Sequence, residues 1–139
     1  MTVEAAQPRV EARARAGVAA DRGVAATDGP LVLALDLGAS RIRAGVVAAD
    51  GRVIARASRR TPLDGDQRDL LAACAALLEG VRRRLPPEAA RRITGLGVAA
   101  PGPLDAATGH LLEPPNMGAV GRGLPLGPHL ARATGLRVA

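Results

Sequence analysis

The sequence predicts an α/β fold built on a mixed sheet, with antiparallel hairpins and one parallel strand. Three observations support this prediction. Short apolar segments separated by turn residues fill residues 31–58, and a segment with helical apolar spacing follows over residues 66–85. A further apolar run returns at residues 93–99. A strand that returns after a helix usually runs parallel to its partner, so the sheet is expected to be mixed.

The first three strands are predicted as an antiparallel meander. The run Leu31–Asp36 is short, continuous and apolar, which is typical of a buried strand. Residues 42–48 alternate, with apolar residues on one face, and predict the second strand. The turn Ala49-Asp50-Gly51 is a hairpin signal, and Val53–Ser58 then predicts the third strand.

The clearest helix is predicted over residues 66–85. Asp66 is a suitable N-cap, and Asp69 lies in the first turn, where the helix dipole favours acids. Pro86-Pro87 is predicted to end the helix. The apolar stripe consists of Leu70, Leu71, Cys74, Leu77, Leu78, Val81 and Leu85. Because Cys74 falls on this stripe, a buried inert thiol is favoured over a nucleophile.

The last third of the sequence predicts shorter elements. After a strand at residues 93–99, a loop is expected over residues 104–123, with a short strand near residues 109–112. Leu126–Thr134 predicts a short helix, and Gly135 is a suitable residue to end it. Residues 136–139 resemble the first residues of a strand. We therefore expect that the chain is a truncated piece of a longer domain.

The chain divides at about residue 30 by composition. Residues 1–29 are rich in Ala, Arg and Gly and hold almost no large apolar side chain, so we expect a disordered leader there. Residues 30–139 are expected to form one partial domain. The whole chain has 139 residues and no aromatic residue, so its core must be aliphatic.

The net charge of +6 comes entirely from arginine, since the 19 basic residues include no lysine. A nucleic-acid binder is one interpretation of this charge. The absence of aromatic residues to stack bases favours an arginine-rich solvated surface instead. The single cysteine excludes an intrachain disulfide and fits a cytoplasmic protein. No apolar run reaches the roughly 18 residues of a membrane span, so no membrane association is expected.

The first candidate site is the segment Asp36-Leu37-Gly38-Ala39-Ser40. Small residues between two strands let a phosphate approach backbone N–H groups, and Ser40 adds a hydroxyl donor. Asp36 would then hold a hydrated Mg²⁺, because two anions in direct contact would repel each other. The alternative is an ordinary hairpin in which Asp36 accepts hydrogen bonds from the turn.

Two further segments carry possible ligand contacts. Residues 95–100 match the pattern Gly-x-Gly-x-x-Ala, but the glycines lie inside a strand and Pro101 and Pro103 forbid the helix that this motif requires. A rigid ligand-side loop around Gly102 is the better interpretation, with a plain Pro-Gly turn as the alternative. Asn116 has donors and acceptors for a sugar hydroxyl, or it merely occupies a loop. His110, expected in a loop, and His129, expected on a helix surface, have no partners at metal-ligand spacing.

Taken together, these segments resemble the N-terminal part of the ROK family (repressor, open reading frame, kinase). The likeness covers residues 31–139 and lies in the segments LALDLGASRIRAGVVAADGRVIAR, GLGVAAPGPLDAATGHL and EPPNMGAVGRGLPLGPHLARATGLRVA. The resemblance implies an actin-like, ribonuclease-H-like ATPase fold with two lobes, of which residues 30–139 are part of the N-terminal lobe. It also implies a glucokinase-like activity, in which the γ-phosphate of ATP moves to a hexose hydroxyl.

The resemblance assigns roles to individual residues and implies ATP, Mg²⁺ and a sugar as ligands. Arg41 stands where the family often has lysine. Gly102 and Asn116 would approach the sugar. The residues implied beside the phosphates and Mg²⁺ are Asp36, Gly38, Ala39, Ser40 and Arg41. No metal site made of protein side chains alone is expected. A homo-oligomer is expected for the full-length protein.

Two departures from the family pattern leave the function open. The family's common Gly-Gly-Thr is Gly38-Ala39-Ser40 here, a variant more typical of its repressors. The family's catalytic aspartate would follow the strand that starts at Leu136, so no catalytic residue is assigned and the 139-residue chain is expected to be inactive. A piece of a sugar kinase is favoured. The alternatives are a piece of a ROK repressor lacking its helix-turn-helix, the one case in which nucleic acid would be a partner, and an interaction module without catalytic ancestry.

Overall fold

The computed structural model describes residues 28–139. The predicted leader lies outside these residues, apart from Asp28 and Gly29. The elements are β1 (Leu31–Leu37), β2 (Arg41–Ala48), β3 (Val53–Arg60), α1 (Gln67–Arg82), α2 (Pro87–Ala90), β4 (Ile93–Ala99), β5 (Leu104–Asp105), β6 (His110–Leu111), α3 (Gly118–Gly121) and α4 (Leu126–Thr134).

The main sheet is mixed, as the sequence predicts. Its strand order is β3-β2-β1-β4. The pairs β1–β2 and β2–β3 are antiparallel, whereas β4 runs parallel to β1 after the crossover through α1 and α2. It follows that β1, β3 and β4 all point in the same direction. Their carboxyl ends therefore meet at one edge of the sheet.

The core lies between one face of this sheet and helix α1. Alternate residues of β1 are buried there because successive side chains of a strand point to opposite faces. The predicted inward face of β2 is buried as well. The fully buried residues that form this aliphatic core include Leu31, Leu33, Leu35, Ile42, Leu70 and Leu78. The opposite face of the sheet carries smaller or charged residues, among them Gly45, Asp36 and Arg43.

Helix α1 begins as predicted but ends earlier. The Asp66 carboxylate accepts a hydrogen bond from the Asp69 N–H at 3.0 Å, and the Asp69 carboxylate accepts one from the Asp66 N–H at 3.0 Å. This reciprocal capping box fixes the first turn. The helix is predicted to reach about Leu85; its regular part ends at Arg82, and i→i+3 bonds tighten the chain through Leu85. Pro87 then opens α2 at its first position, where the missing N–H costs nothing.

The last third packs onto α1 through helices α3 and α4, and a small hairpin packs against α4. The predicted short strand is β6, which pairs with β5, and the expected loop also holds the single turn α3. Gly135 ends α4 in the left-handed conformation with φ 70°. Residues 136–139 extend beside β4, where the Ala139 N–H donates to the Leu96 carbonyl at 2.9 Å. The predicted strand start is thus confirmed as a parallel addition to the sheet.

None of the helices within residues 28–139 is long and apolar enough to cross a membrane.

Candidate functional site

The candidate site lies at the edge where β1, β3 and β4 end. The turn of residues 38–40 follows β1, residues 61–64 follow β3, and residues 101–103 follow β4. Open α/β sheets bind ligands outside the carboxyl ends of their strands. The topology therefore brings the first two segments singled out by the sequence to one edge of the molecule.

The turn after β1 is held by hydrogen bonds to its carbonyl groups. The Gly38 N–H donates to the Arg41 carbonyl at 3.0 Å. The Thr61 hydroxyl donates to the Gly38 carbonyl at 2.6 Å, and the Thr61 N–H donates to the Ser40 carbonyl at 3.1 Å. A Cβ at Gly38 would come within 3.0 Å of the Arg41 carbonyl oxygen, so the close turn favours glycine.

These bonds leave the donors of the turn free. Within residues 28–139, no hydrogen bond uses the N–H of Ala39, the N–H of Ser40 or the Ser40 hydroxyl. Thr61 meanwhile occupies two carbonyl oxygens that would repel an anion. Adjacent free N–H groups beside a hydroxyl are what a phosphate oxygen requires. The turn is therefore suited to bind an anion.

Asp36 lies beside this turn on the open face of the sheet. Its Oδ2 is 2.9 Å from Nη1 of Arg43, the residue opposite it on β2. Among the described residues, no group of three or more His, Cys, Asp or Glu could hold a metal ion. Mg²⁺ needs only one or two carboxylates when phosphates and water supply its other ligands. Asp36 thus fits a Mg²⁺ that arrives with a nucleotide and does not fit a site made of protein ligands alone.

The loop after β4 is packed against a second loop through Gly102. This residue has φ 80°, and a Cβ on it would lie 3.0 Å from Cα of Pro114 and 3.0 Å from Cδ of Pro115. Asn116 follows directly, exposed and in the left-handed conformation with φ 61°. The Pro103 carbonyl also accepts a hydrogen bond from the Leu112 N–H at 2.9 Å. The two candidate sugar residues therefore lie on loops in direct contact.

The structure identifies site residues that the sequence pattern does not indicate. Thr61 is a buried polar residue, 5% exposed, and it joins the end of β3 to the turn after β1. No local pattern distinguishes it from an ordinary residue at a strand end. Arg59 and Arg60 line a groove of about 950 Å³ together with Ser40 and Arg41. The family resemblance assigns a role only to Arg41, and Arg59 and Arg60 extend the basic surface along the groove.

The remaining reactive side chains lie away from this chemistry. Burial raises the pKa of the Cys74 thiol to about 12, so it is inert as a nucleophile at neutral pH. His110 lies in β6 rather than in the expected loop, and its ring Nδ1 is 3.3 Å from the Thr108 carbonyl. His129 is half-buried on α4. Hydrogen bonds from Thr108 and Ala107 lower the pKa of the Asp105 carboxyl, which closes the β5–β6 turn.

Comparison with known proteins finds one family model and several similar solved structures. The model of the ROK family matches residues 32–139. The structure is similar to a ROK family glucokinase from Streptomyces griseus in complex with glucose and AMPPNP, with 26% identity and a TM-score of 0.66 over 78% of this chain and 32% of that one. It is also similar to the ROK hexokinase from Thermus thermophilus, with 34% identity and a TM-score of 0.63 over 78% of this chain and 33% of that one.

A regulator is similar to the same degree. A ROK family transcriptional regulator, a homologue of the E. coli MLC protein, shares 26% identity and a TM-score of 0.66 over 81% of this chain and 27% of that one. The chain spans about a third of the length of these solved structures. No curated protein matches the sequence.

Proposed function

Because the chain belongs to the ROK family, we propose that it forms the phosphate-binding part of the N-terminal lobe of an ATP-dependent sugar kinase. The reaction is transfer of the γ-phosphoryl group of ATP to a hydroxyl group of a hexose. In such a transfer the protein positions the reactants and stabilises charge on the phosphate oxygens. The residues at the sheet edge are suited to both tasks.

The observation that carries this proposal is the set of free donors in the turn. The N–H groups of Ala39 and Ser40 and the Ser40 hydroxyl have no partners within the described residues, while Thr61 occupies the nearby carbonyl oxygens. A phosphate that binds there accepts hydrogen bonds without meeting an exposed carbonyl. Asp36 supplies a carboxylate for the Mg²⁺ that accompanies ATP, and this ion would neutralise phosphate charge.

The proposal that a sugar binds rests on two loops in contact, the loop of Gly102 after β4 and the loop that holds Pro114, Pro115 and Asn116. Gly102 lets its loop pack against Pro114 and Pro115, and Asn116 follows Pro115 directly in the sequence. The Asn116 amide offers donors and an acceptor, the chemistry that a sugar hydroxyl needs. The similar glucokinase from Streptomyces griseus is a complex with glucose and AMPPNP, which supports a hexose and a nucleotide as ligands.

We expect the 139-residue chain to bind ligands without turning them over. A general base contributes about 10²–10⁴-fold to such reactions, and none of the residues placed at the site is assigned that role. The family resemblance locates the base after the strand that begins at Leu136. We further propose that the full-length protein acts in the cytoplasm as a homo-oligomer.

The test is a calorimetric titration of the chain with ATP and Mg²⁺ in saturating glucose. Ser40→Asp places a negative charge in the turn and is expected to weaken ATP binding at least about tenfold, the effect of one lost charge-assisted hydrogen bond. Ser40→Asn has nearly the same size without the charge and is the matched control. If the wild-type chain binds no ATP, or if the two variants bind it equally, the proposal fails.

The second candidate function is the sensor part of a sugar-responsive repressor. Two observations favour it: the similarity to the homologue of the MLC protein and the Gly38-Ala39-Ser40 sequence of the turn. This candidate predicts that glucose binds while ATP does not. The same calorimeter, with glucose and ATP titrated separately, distinguishes the two functions.

A further inference from the structure

The carboxylate proposed to attract Mg²⁺ is already paired with a cation of the protein. On the open face of the sheet, Asp36 lies opposite Arg43 of β2 and Ala99 of β4. Ala99 offers only a methyl group, whereas Nη1 of Arg43 lies 2.9 Å from Oδ2 of Asp36. The central position of β1 in the sheet thus gives Asp36 one cationic cross-strand neighbour, Arg43.

This pairing is exclusive among the residues that the structure describes. Within residues 28–139, the Asp36 carboxylate accepts a hydrogen bond only from Arg43, and the Arg43 side chain forms no other hydrogen bond or ion pair. Arg41 lies on the same face two residues earlier, but its guanidinium donates to the Ser58 hydroxyl at 3.2 Å. Removal of the Arg43 guanidinium would therefore leave the Asp36 carboxylate without a partner.

The pair of Asp36 and Arg43 is open to exchange, because both side chains are more than half exposed. Water screens the two charges of an exposed ion pair, and such pairs are held weakly. A divalent cation carries twice the charge of a guanidinium group and binds carboxylate oxygen directly. Asp36 can therefore pass from Arg43 to a metal ion without leaving a buried charge behind.

We propose that Arg43 is a positioning residue that stands in for Mg²⁺ at Asp36 when no metal ion is present. The proposal rests on the proposed function, because it takes the turn after β1 as the phosphate site and Asp36 as the carboxylate for Mg²⁺. While it is paired, the guanidinium neutralises a negative charge that would repel a phosphate at the neighbouring turn. A metal ion that arrives with the nucleotide takes over this neutralisation and releases Arg43.

This role gives Arg43 two effects of opposite sign. It competes with a metal ion for the carboxylate, so it weakens the binding of a divalent cation to Asp36. It also screens the carboxylate from phosphate, so it strengthens the binding of metal-free nucleotide. Removal of the guanidinium should therefore increase the dependence of ATP binding on Mg²⁺. A purely structural role of Arg43 would instead change ATP binding equally with and without the metal.

The first experiment titrates the 139-residue chain with Mn²⁺ alone, a divalent probe whose binding is measured from the relaxation of water protons. Arg43→Gln should bind Mn²⁺ about two- to fivefold more tightly than the wild type, the effect of removing an exposed ion pair. The double variant Asp36→Asn/Arg43→Gln should lose this gain, which would locate the ion at Asp36. No gain in Arg43→Gln, or a gain that persists in the double variant, overturns the proposal.

The second experiment measures the ratio of the ATP affinity in Mg²⁺ to the ATP affinity in EDTA by calorimetric titration. We expect Arg43→Gln to raise this ratio about two- to fivefold, chiefly through weaker binding in EDTA. Arg43→Lys keeps a cation at the carboxylate and should restore a ratio close to that of the wild type. If the ratio is unchanged or lower in Arg43→Gln, the guanidinium contacts the phosphates or only stabilises the sheet, and the proposal is wrong.

Arg52→Gln is the matched control for charge. Arg52 is paired with Asp50 at 2.7 Å, both side chains are about half exposed, and the pair lies in the hairpin between β2 and β3. The substitution removes the same charge from the chain and frees a similar carboxylate, so the ratio of ATP affinities should not change. An equal rise of the ratio in Arg43→Gln and Arg52→Gln would show an effect of net charge and contradict a role at the turn.

The results also distinguish the role of Arg43 from the proposed function. If the wild-type chain binds no ATP, the proposed function fails, and the Mn²⁺ titration alone decides whether Arg43 competes with a metal ion. If ATP binds but Arg43→Gln changes neither titration, only the proposal for Arg43 fails. Should Arg43→Gln fold poorly, Arg43→Thr provides a second variant, because threonine is suited to exposed strand positions. It should show the same gain in Mn²⁺ affinity, and the absence of that gain would contradict the proposal.

Discussion

Nη1 of Arg43 lies 2.9 Å from Oδ2 of Asp36, and the two residues are direct cross-strand partners on β2 and β1. The side chains are 61% and 52% exposed, respectively. An ion pair this exposed contributes about 0–1 kcal/mol to stability. The pair therefore orients the carboxylate without preventing another cation from replacing the guanidinium. The Mg²⁺ that accompanies ATP is the cation that we expect to replace it.

The first prediction concerns Asp36→Asn. The wild-type chain should bind ATP more tightly with Mg²⁺ than with EDTA, because the carboxylate attracts the ion and repels bare phosphate. The variant should lose most of this difference, through weaker binding with Mg²⁺ and stronger binding in EDTA. Paired calorimetric titrations measure both effects.

The chain offers a close control for this substitution. Asp50 is also exposed and is paired with Arg52 at 2.7 Å, but it lies in the hairpin at the opposite edge of the sheet. Asp50→Asn should leave the dependence on Mg²⁺ unchanged. A uniform change in both titrations for Asp36→Asn would show that the carboxylate does not act through the metal.

The second prediction concerns Thr61→Val. Valine has the shape of threonine but cannot donate to the Gly38 carbonyl, which now lies 2.6 Å from the hydroxyl. Leaving a partly buried acceptor unpaired costs about 1–3 kcal/mol. We expect a fall of this size in the free energy of unfolding by urea, together with weaker ATP binding because the turn is no longer held.

Thr61→Ser is the control, since serine keeps the hydroxyl and loses only a methyl group. It should retain ATP affinity even if it unfolds at a slightly lower urea concentration. Equal ATP affinity in the valine and serine variants would show that the hydrogen bond does not organise the turn.

The role of Thr61 also shows where prediction from the sequence ends. The strands and α1 were predictable because apolar spacing, the Asp66 cap and the hairpin turn are local signals. Thr61 lies 23 residues from Gly38 and meets it only because β3 and β1 run in the same direction. Their contact depends on strand order, which no local pattern encodes.

The contact between the loop of Gly102 and the loop of Asn116 is likewise not encoded by a local pattern. The positions of Gly102 and Asn116 were marked by turn chemistry and by the family resemblance. The contact between their loops depends on how the Pro114–Pro115 segment packs on Gly102. The end of α1 was predictable only to within a few residues, for a different reason. The prolines that stop a regular helix also open the next one, so they mark a boundary without fixing the residue at which the first helix ends.

The third prediction concerns Gly102→Ala. The added Cβ would lie 3.0 Å from Cα of Pro114, and alanine is disfavoured at φ 80°. We expect a loss of about 1–3 kcal/mol in stability, the range for a strained backbone conformation. Glucose binding should weaken as well, because the segment that carries Asn116 must move. Urea unfolding and a glucose titration measure the two effects.

Gly97→Ala is the matched control, because a Cβ at Gly97 meets nothing within 4 Å. It lies on the open face of β4, where alanine should be neutral or slightly stabilising. If both substitutions destabilise the chain equally, the cause is general to glycine and not the contact between the loops.

The fourth prediction concerns pH and Cys74. Burial raises the pKa of this thiol from an ordinary value of 9.0 to about 12. Between these values the unfolded chain loses the proton and the folded chain keeps it, so stability falls as pH rises from about 9 toward 12. The slope should approach about 1.4 kcal/mol per pH unit. The sequence contains no tyrosine and no lysine, so Cys74 is its only side chain with an ordinary pKa in this window.

Urea unfolding at several pH values above 9 measures this slope, and Cys74→Ala should lack it. Reaction with Ellman's reagent provides an independent check. Because the side chain is fully buried, the folded chain should react only through unfolding, and its rate should follow the unfolded fraction as urea is added. A thiol that reacts equally fast in the folded and the unfolded chain would contradict its burial. A pH slope that persists in Cys74→Ala would place the titrating group elsewhere.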